Sequence, residues 1–281
     1  MTDIVDETLR QSTDVMGELI AKANEAARKP DSRRGFFVQT AKLAGATALG
    51  VAGVSLLQPI AARAAGLHRP TAKNADQLQD IINIAATAEA LATTFYYNAL
   101  AAGSALPDVN STANQNYFQA AAVQEFEHLE VLKKLGAHAI ATEFYFPANM
   151  FTSEAVFFPT ALTLESYFIS AYLAAALDFS GAVSSGITTA NPYALGFAVQ
   201  VLGVECEHRA LLGVAANINP PNNLIIETAL LSSVDSAVGA LAPFLTGGDG
   251  FTGPYALPTK ADVNTIAQPY GFSFFPSFKI V

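Results

Sequence analysis

From residue 76 onward the apolar positions repeat with the period of a helix rather than of a strand. Leu78, Ile81, Ile82, Ala85, Ala92, Phe95 and Ala99 form one stripe and predict a first helix from Asp76 to about Ala102. Gly103 to Asn110, with Pro107, is a short connection, so a second helix over Ser111–Gly136 should return antiparallel. Its apolar face carries Phe118, Ala121, Leu129, Leu132 and Leu135. Periodicity breaks between Gly136 and Pro159, a stretch with Pro147 and several aromatics that is long enough to cross the length of a bundle. A third helix is predicted from Thr160 to about Ser185, around Leu162, Phe168, Ile169 and Ala176, and a fourth from Pro192 to about Asn217. This order predicts an all-α fold: a four-helix bundle over residues 65–222 with one long crossover after the second helix. Residues 223–281 should add one helix, Leu224–Leu241, and an irregular tail with Phe272, Phe274, Phe275 and Phe278. That tail is expected to wrap over the bundle or a partner subunit. Gly247-Gly248-Asp249-Gly250 reads as a turn, because a phosphate loop needs a preceding strand and a following Lys-Ser/Thr.

The first 64 residues follow a different pattern. Residues 1–31 are polar and of mixed charge, then Ser32-Arg33-Arg34-Gly35-Phe36-Phe37 precedes an uncharged run from Leu43 to Leu57 and the small-x-small step Ala62-Arg63-Ala64. This order resembles a twin-arginine export signal, which predicts use of that export machinery, cleavage near Ala64 and a periplasmic or extracellular location. Left uncleaved, the segment would act as a membrane anchor, although its apolar run falls short of the ~20 residues a spanning helix needs. Twin-arginine substrates cross the membrane already folded.

Composition narrows the partners. Hydrophobic residues make up 51% of the 281 and charged residues 14%, so most helical surface must be packed away. Residues 1–64 hold eight of the fifteen Lys and Arg but seven of the twenty-four acids, which leaves seven bases against seventeen acids in the remainder. Such a surface repels nucleic acid and anionic lipid and attracts cations. The single cysteine, Cys206, excludes an intrachain disulfide and a thiolate metal cluster.

Four carboxylates interrupt the apolar stripes. Glu89 lies in the first helix and Glu165 in the third; Glu125-x-x-His128 lies in the second and Glu205-x-x-His208 in the fourth. Residues three apart share a helix face, so each Glu-x-x-His step aims a carboxylate and an imidazole in one direction. The pattern is duplicated: Glu89 to Glu165 is 76 positions, Glu125 to Glu205 is 80, and a tyrosine, Tyr96 or Tyr172, follows each single Glu by seven. A lone Glu-x-x-His is common on solvated helices, but residues 65–281 contain only ten Glu and four His, and four and two of these occupy matching places. Six such ligands supply four negative charges, the complement of two divalent cations. Glu127 and Glu207, about 160° from the ligand face at ~100° per residue, are expected to be accessory or surface groups, and Cys206 to be core. Tyr96 and Tyr172 read either as core aromatics or as donors to a ligand carboxylate and local electron sources.

These residues, on four helices with a crossover after the second, resemble the ferritin and rubrerythrin superfamily. The set with two histidines is similar to the rubrerythrin, bacterioferritin and manganese-catalase pattern. The export signal and aromatic extension are similar to exported desiccation-related ferritin-like proteins. The resemblance implies a carboxylate-bridged site for two metal ions, iron or manganese with zinc also compatible, in which Glu89 and Glu165 bridge or cap. No Cys-x-x-Cys rubredoxin module is present.

Two functions are then expected to compete. One is an oxidoreductase acting on dioxygen or hydrogen peroxide, ferroxidase- or catalase-like, in oxidative or desiccation stress. The other is a non-catalytic metal-binding stress or structural protein. A mineral-storing cage would require a homo-oligomer.

Overall fold

The computed structural model describes residues 75–180, 191–231 and 233–267. Residues 1–31, the twin-arginine stretch, the Ala62-Arg63-Ala64 step and the terminal aromatics lie outside the described residues. Four long helices dominate: α1 (Ala75–Ala101), α2 (Gln115–Lys134), α3 (Glu154–Phe179) and α4 (Pro192–Ala215). The heaviest packing is α1 on α2 and α3 on α4, and the two pairs face each other through α1 with α3 and α2 with α4. Phe95, Leu91, Leu129, Leu132 and Leu164 sit at 0–1% exposure in the shared core.

Local chemistry sets the helix ends. At α4, the Asn191 side chain accepts the Ala194 N–H at 3.1 Å and Pro192 occupies the first turn, where its missing N–H costs nothing. The third helix begins at Glu154, six residues before the expected start at Thr160, and Pro159 lies inside it. An interior proline costs about 3 kcal/mol. The extra turn buries Phe157 and Phe158 in the core, and two such rings contribute about 1.5–3 kcal/mol each, enough to offset it. Glu154 also reaches across to accept the Asp108 N–H at 2.5 Å, which ties the α1–α2 connection to the start of α3.

The crossover is not featureless coil. Residues Glu143–Pro147 form β1, which pairs antiparallel with β2 (Phe251–Ala256), Phe144 opposite Tyr255 and Phe146 opposite Thr252. Strand alternation sends Phe144 and Phe146 inward at 0% exposure. Phe146 meets Phe151, Phe244 and Tyr255 with ring centroids 5.1–6.1 Å apart. Gly253 makes the pairing possible: at φ +147° its backbone approaches so closely that a Cβ would stand 2.8 Å from the Phe144 carbonyl oxygen. The Gly247–Gly250 cluster is the turn into β2, and no phosphate loop forms.

The expected helix over 224–241 is displaced. Leu224, Ile225 and Ile226 are exposed in irregular chain, and α5 instead spans Val234–Thr246, where Val234, Ala237, Leu241 and Phe244 bury one face. The intervening segment is pinned rather than helical, through Arg209 Nη2 to Glu227 Oε1 at 2.6 Å and Ser170 Oγ to the Thr228 carbonyl at 3.1 Å. A short α6 (Lys260–Ala267) packs on α2. The described part of the extension thus packs on the bundle through α5 and α6, while residues 268–281, on which the expectation of a wrapping tail falls, lie outside the described residues.

Where α4 ends, the Pro221 backbone rests directly on Gly213, and a Cβ there would meet the Pro221 oxygen at 2.8 Å. Alanine is the better helix former by about 1 kcal/mol. Gly213→Ala is nevertheless expected to destabilise the protein by about 1–3 kcal/mol, because neither backbone can yield freely. Urea unfolding of the variant tests this, and a gain in stability would refute the close contact.

Candidate metal centre

Each of the four helices brings its acidic residue to one level of the bundle. Glu89, Glu125, Glu165 and Glu205 are 0–2% exposed, with His128 at 8% and His208 at 2%. They form two overlapping groups, Glu89–Glu125–His128–Glu205 and Glu125–Glu165–Glu205–His208, whose donor atoms lie within 4.8 Å of one another. Both imidazoles turn Nδ1 inward. His128 Nδ1 stands 3.3 Å from Glu89 Oε2, 3.4 Å from Glu125 Oε2 and 3.6 Å from Glu205 Oε1. His208 Nδ1 stands 2.9 Å from Glu125 Oε1 and 3.3 Å from Glu205 Oε2.

All six side chains singled out by spacing are thus brought together. Glu125 and Glu205 belong to both groups, while Glu89 and Glu165 each belong to one. Of the two roles open to Glu89 and Glu165, each would cap one ion, and Glu125 and Glu205 would be the pair placed to serve both. Glu127 and Glu207 point away, as expected from their angular offset, and Glu127 lies 4.0 Å from Lys260 Nζ. Cys206 is partly buried beside Glu227, and burial pushes its thiol up to about 11.

A ferritin-like domain family model matches residues 77–217, half of the chain. The chain belongs to the ferritin-like family. No curated protein and no solved structure matches it.

In this ferritin-like bundle the donor set can be tested against a metal. Buried polar atoms almost always have a partner. Here Glu89 Oε2, both Glu125 oxygens, Glu165 Oε2, Glu205 Oε1 and His128 Nδ1 have no well-aligned hydrogen-bond partner, and all belong to residues of the two overlapping groups. Oxygen and imidazole donors in this number fit first-row divalent cations, and donors about 2.1 Å from an ion stand up to ~4.2 Å apart across it, compatible with the observed grouping.

The metal-free cluster must hold protons instead. Burial raises the carboxyls of Glu125, Glu165 and Glu205 above the usual range, and the neighbouring carboxylates add to the effect. Burial alone would lower the imidazoles. Glu89 and Glu125 overcome it and lift His128 to about 10, and Glu125 likewise lifts His208 well above its ordinary value.

The two tyrosines are donors to the capping carboxylates, in a crossed arrangement that spacing alone did not disclose. Tyr96 Oη donates to Glu165 Oε1 at 2.5 Å, and Tyr172 Oη donates to Glu89 Oε1. Seven residues forward from Glu89 to Tyr96 on α1 correspond to seven backward from Tyr172 to Glu165 on α3, as antiparallel neighbours require. Burial and the adjacent carboxylates raise both phenols well above 10, so both keep their protons and donate. Tyr96→Phe and Tyr172→Phe are each expected to cost the metal-free protein about 1–3 kcal/mol in urea unfolding, the range for leaving a buried hydrogen-bond partner unsatisfied. An unchanged midpoint would reduce these rings to packing.

One participant escaped the sequence reading. Gln124 Oε1 lies 2.9 Å from His208 Nε2, across the bundle from its own helix. Its only signal was a polar side chain one turn before His128 on a largely apolar face.

Proposed function

We propose that this ferritin-like protein carries a dinuclear centre of iron or manganese and reacts there with dioxygen or hydrogen peroxide, as an exported protein serving in oxidative or desiccation stress. The observation that carries this reading is the pair of shared carboxylates, Glu125 and Glu205, flanked by matched Glu and His caps in a sealed apolar core. Glu89 and His128 would hold one ion, Glu165 and His208 the other. Two redox-active ions side by side supply a two-electron couple, which suits ferrous oxidation by dioxygen or the conversion of two hydrogen peroxide molecules into two waters and one dioxygen. The second reaction consumes no outside reductant.

The protein's own groups have definable tasks. Tyr96 and Tyr172 hold the outer oxygens of Glu165 and Glu89, leaving the second oxygen of each carboxylate turned inward. Phe95, Phe157 and Leu164, fully buried in the same core, help to keep the bundle interior dry. A small apolar recess, bounded by Phe118, Ala121 and Leu212, has exposed Tyr117 at the surface and Tyr96 and His208 in its wall. It favours small, uncharged reactants over bulky or ionic ones. The near-complete burial of the four carboxylates also fits the competing reading, in which the ions serve stability alone.

Metal content by elemental mass spectrometry, followed by peroxide loss and ferrous oxidation assays on the same loaded sample, separates the two. Activity in either assay, proportional to bound metal, supports the enzyme. Two bound ions with neither activity would leave the structural reading.

A further inference from the structure

The duplication that builds the centre is imperfect at one position. An 80-residue shift carries Glu125 to Glu205 and His128 to His208, and it carries Gln124 to Val204. Gln124, one turn ahead of His128 on α2, reaches the histidine of the other half: its Oε1 stands 2.9 Å from His208 Nε2. With a metal ion on Nδ1 of His208, Nε2 would carry the ring proton and donate it, so Gln124 would present its carbonyl oxygen. The counterpart, Val204, has a side chain that can accept nothing. Among the described residues none bonds the Nε2 of His128, whose contacts all run through Nδ1. His128 is also the more exposed of the two, 8% against 2%.

Resting on the dinuclear reading, we infer that Gln124 is a positioning residue that locks His208 and makes the two metal positions unequal. The Glu165–His208 position is the tighter, and the Glu89–His128 position is the exchangeable one. The physical reason is general. A ligating imidazole whose second nitrogen donates to a fixed acceptor is held in one tautomer and one orientation, and it is the more basic for it. Removing such an acceptor costs 10–100-fold in metal affinity. His208 has this support built in from a residue 84 positions away, and His128 does not.

The test is titration of the metal-free full chain with cobalt(II), followed by calorimetry and by the visible absorption of the bound ion. Wild-type protein should take up two ions in separate steps about 10–100-fold apart. Gln124→Leu should weaken the first step by that factor and alter its spectrum, leaving the second step in place. Gln124→Glu, which keeps an acceptor, should preserve the separation. His208→Ala should abolish the tight step and His128→Ala the weak one, an assignment that holds even if the leucine variant folds poorly. Two equal steps in the wild type overturn the inference, as does loss of the tight step in His128→Ala. A chain that binds no cobalt fails the dinuclear reading itself, an outcome distinct from equal steps.

Discussion

Stripping the metal from the loaded protein is expected to lower its melting temperature by about 10 °C at neutral pH, with the loss deepening as the pH rises. The size follows from linkage. A ligand present at about a thousand times its dissociation constant stabilises the folded state by ~4 kcal/mol, and a domain of this size shifts ~2–4 °C per kcal/mol. The pH dependence follows from the cluster. Glu125, Glu165 and Glu205 have folded values raised above 4.5 by burial, and His128 and His208 are raised above 6.5, His128 to about 10. Every one of these shifts has the same sign: the metal-free folded state holds more protons than the unfolded chain.

Stability from these groups is therefore full below about pH 4.5, the unfolded carboxyl value, and is lost as the pH climbs through the folded values, that of His128 lying at about 10. Each extra proton held contributes a slope of about 1.4 kcal/mol per pH unit. In the loaded protein the cations replace the protons, and the slope from these groups should vanish. Calorimetric scans from pH 5 to 9, with and without metal, read both effects. A metal-free form that gained stability across that range would contradict the cluster's electrostatics.

The second large effect separates shared from capping carboxylates. Glu125→Gln keeps the shape of the side chain but withdraws a charge that both positions use. It should weaken both ions by at least about 100-fold, since loss of a mere outer support already costs 10–100-fold. Glu89→Gln should weaken only the ion beside His128 to a similar degree, so the dialysed protein retains close to one ion per chain. Elemental analysis after dialysis distinguishes zero from one, and peroxide or ferrous turnover should fall to background in both variants. If Glu89→Gln emptied both positions while Glu125→Gln emptied one, the assignment of the bridging pair would be reversed.

The contrast between these two variants marks how far spacing can be read. Glu89, Glu125, His128, Glu165, Glu205 and His208 stood out because helical periodicity is local: a carboxylate inside an apolar stripe is visible within two turns. That Glu125 and Glu205 are the shared pair depends on which helices face across the bundle, and no local pattern encodes it. The same holds for the tyrosines. Tyr96 and Tyr172 were visible as partners of a carboxylate, but the crossing of Tyr96 to Glu165 and of Tyr172 to Glu89 needs the antiparallel register of α1 and α3.

Strand pairing shows the limit most plainly. Phe144 and Phe146 looked like loop aromatics, because five residues of alternation carry little signal and their partner strand at 251–256 lies more than a hundred positions away. The displaced α5 is similar. Leu224, Ile225 and Ile226 are as apolar as the helix that follows them, and only the available core surface selects Val234–Thr246.

The helical bundle and the six acidic and histidine side chains that meet in its core were legible in the sequence, since each rests on spacing within a few turns. Tertiary structure decided which carboxylates are shared, which tyrosine serves which glutamate, and that Gln124 supports only one of the two histidines. Those outcomes are set by contacts between residues 69 to 84 positions apart, whose geometry exists only once the helices have packed.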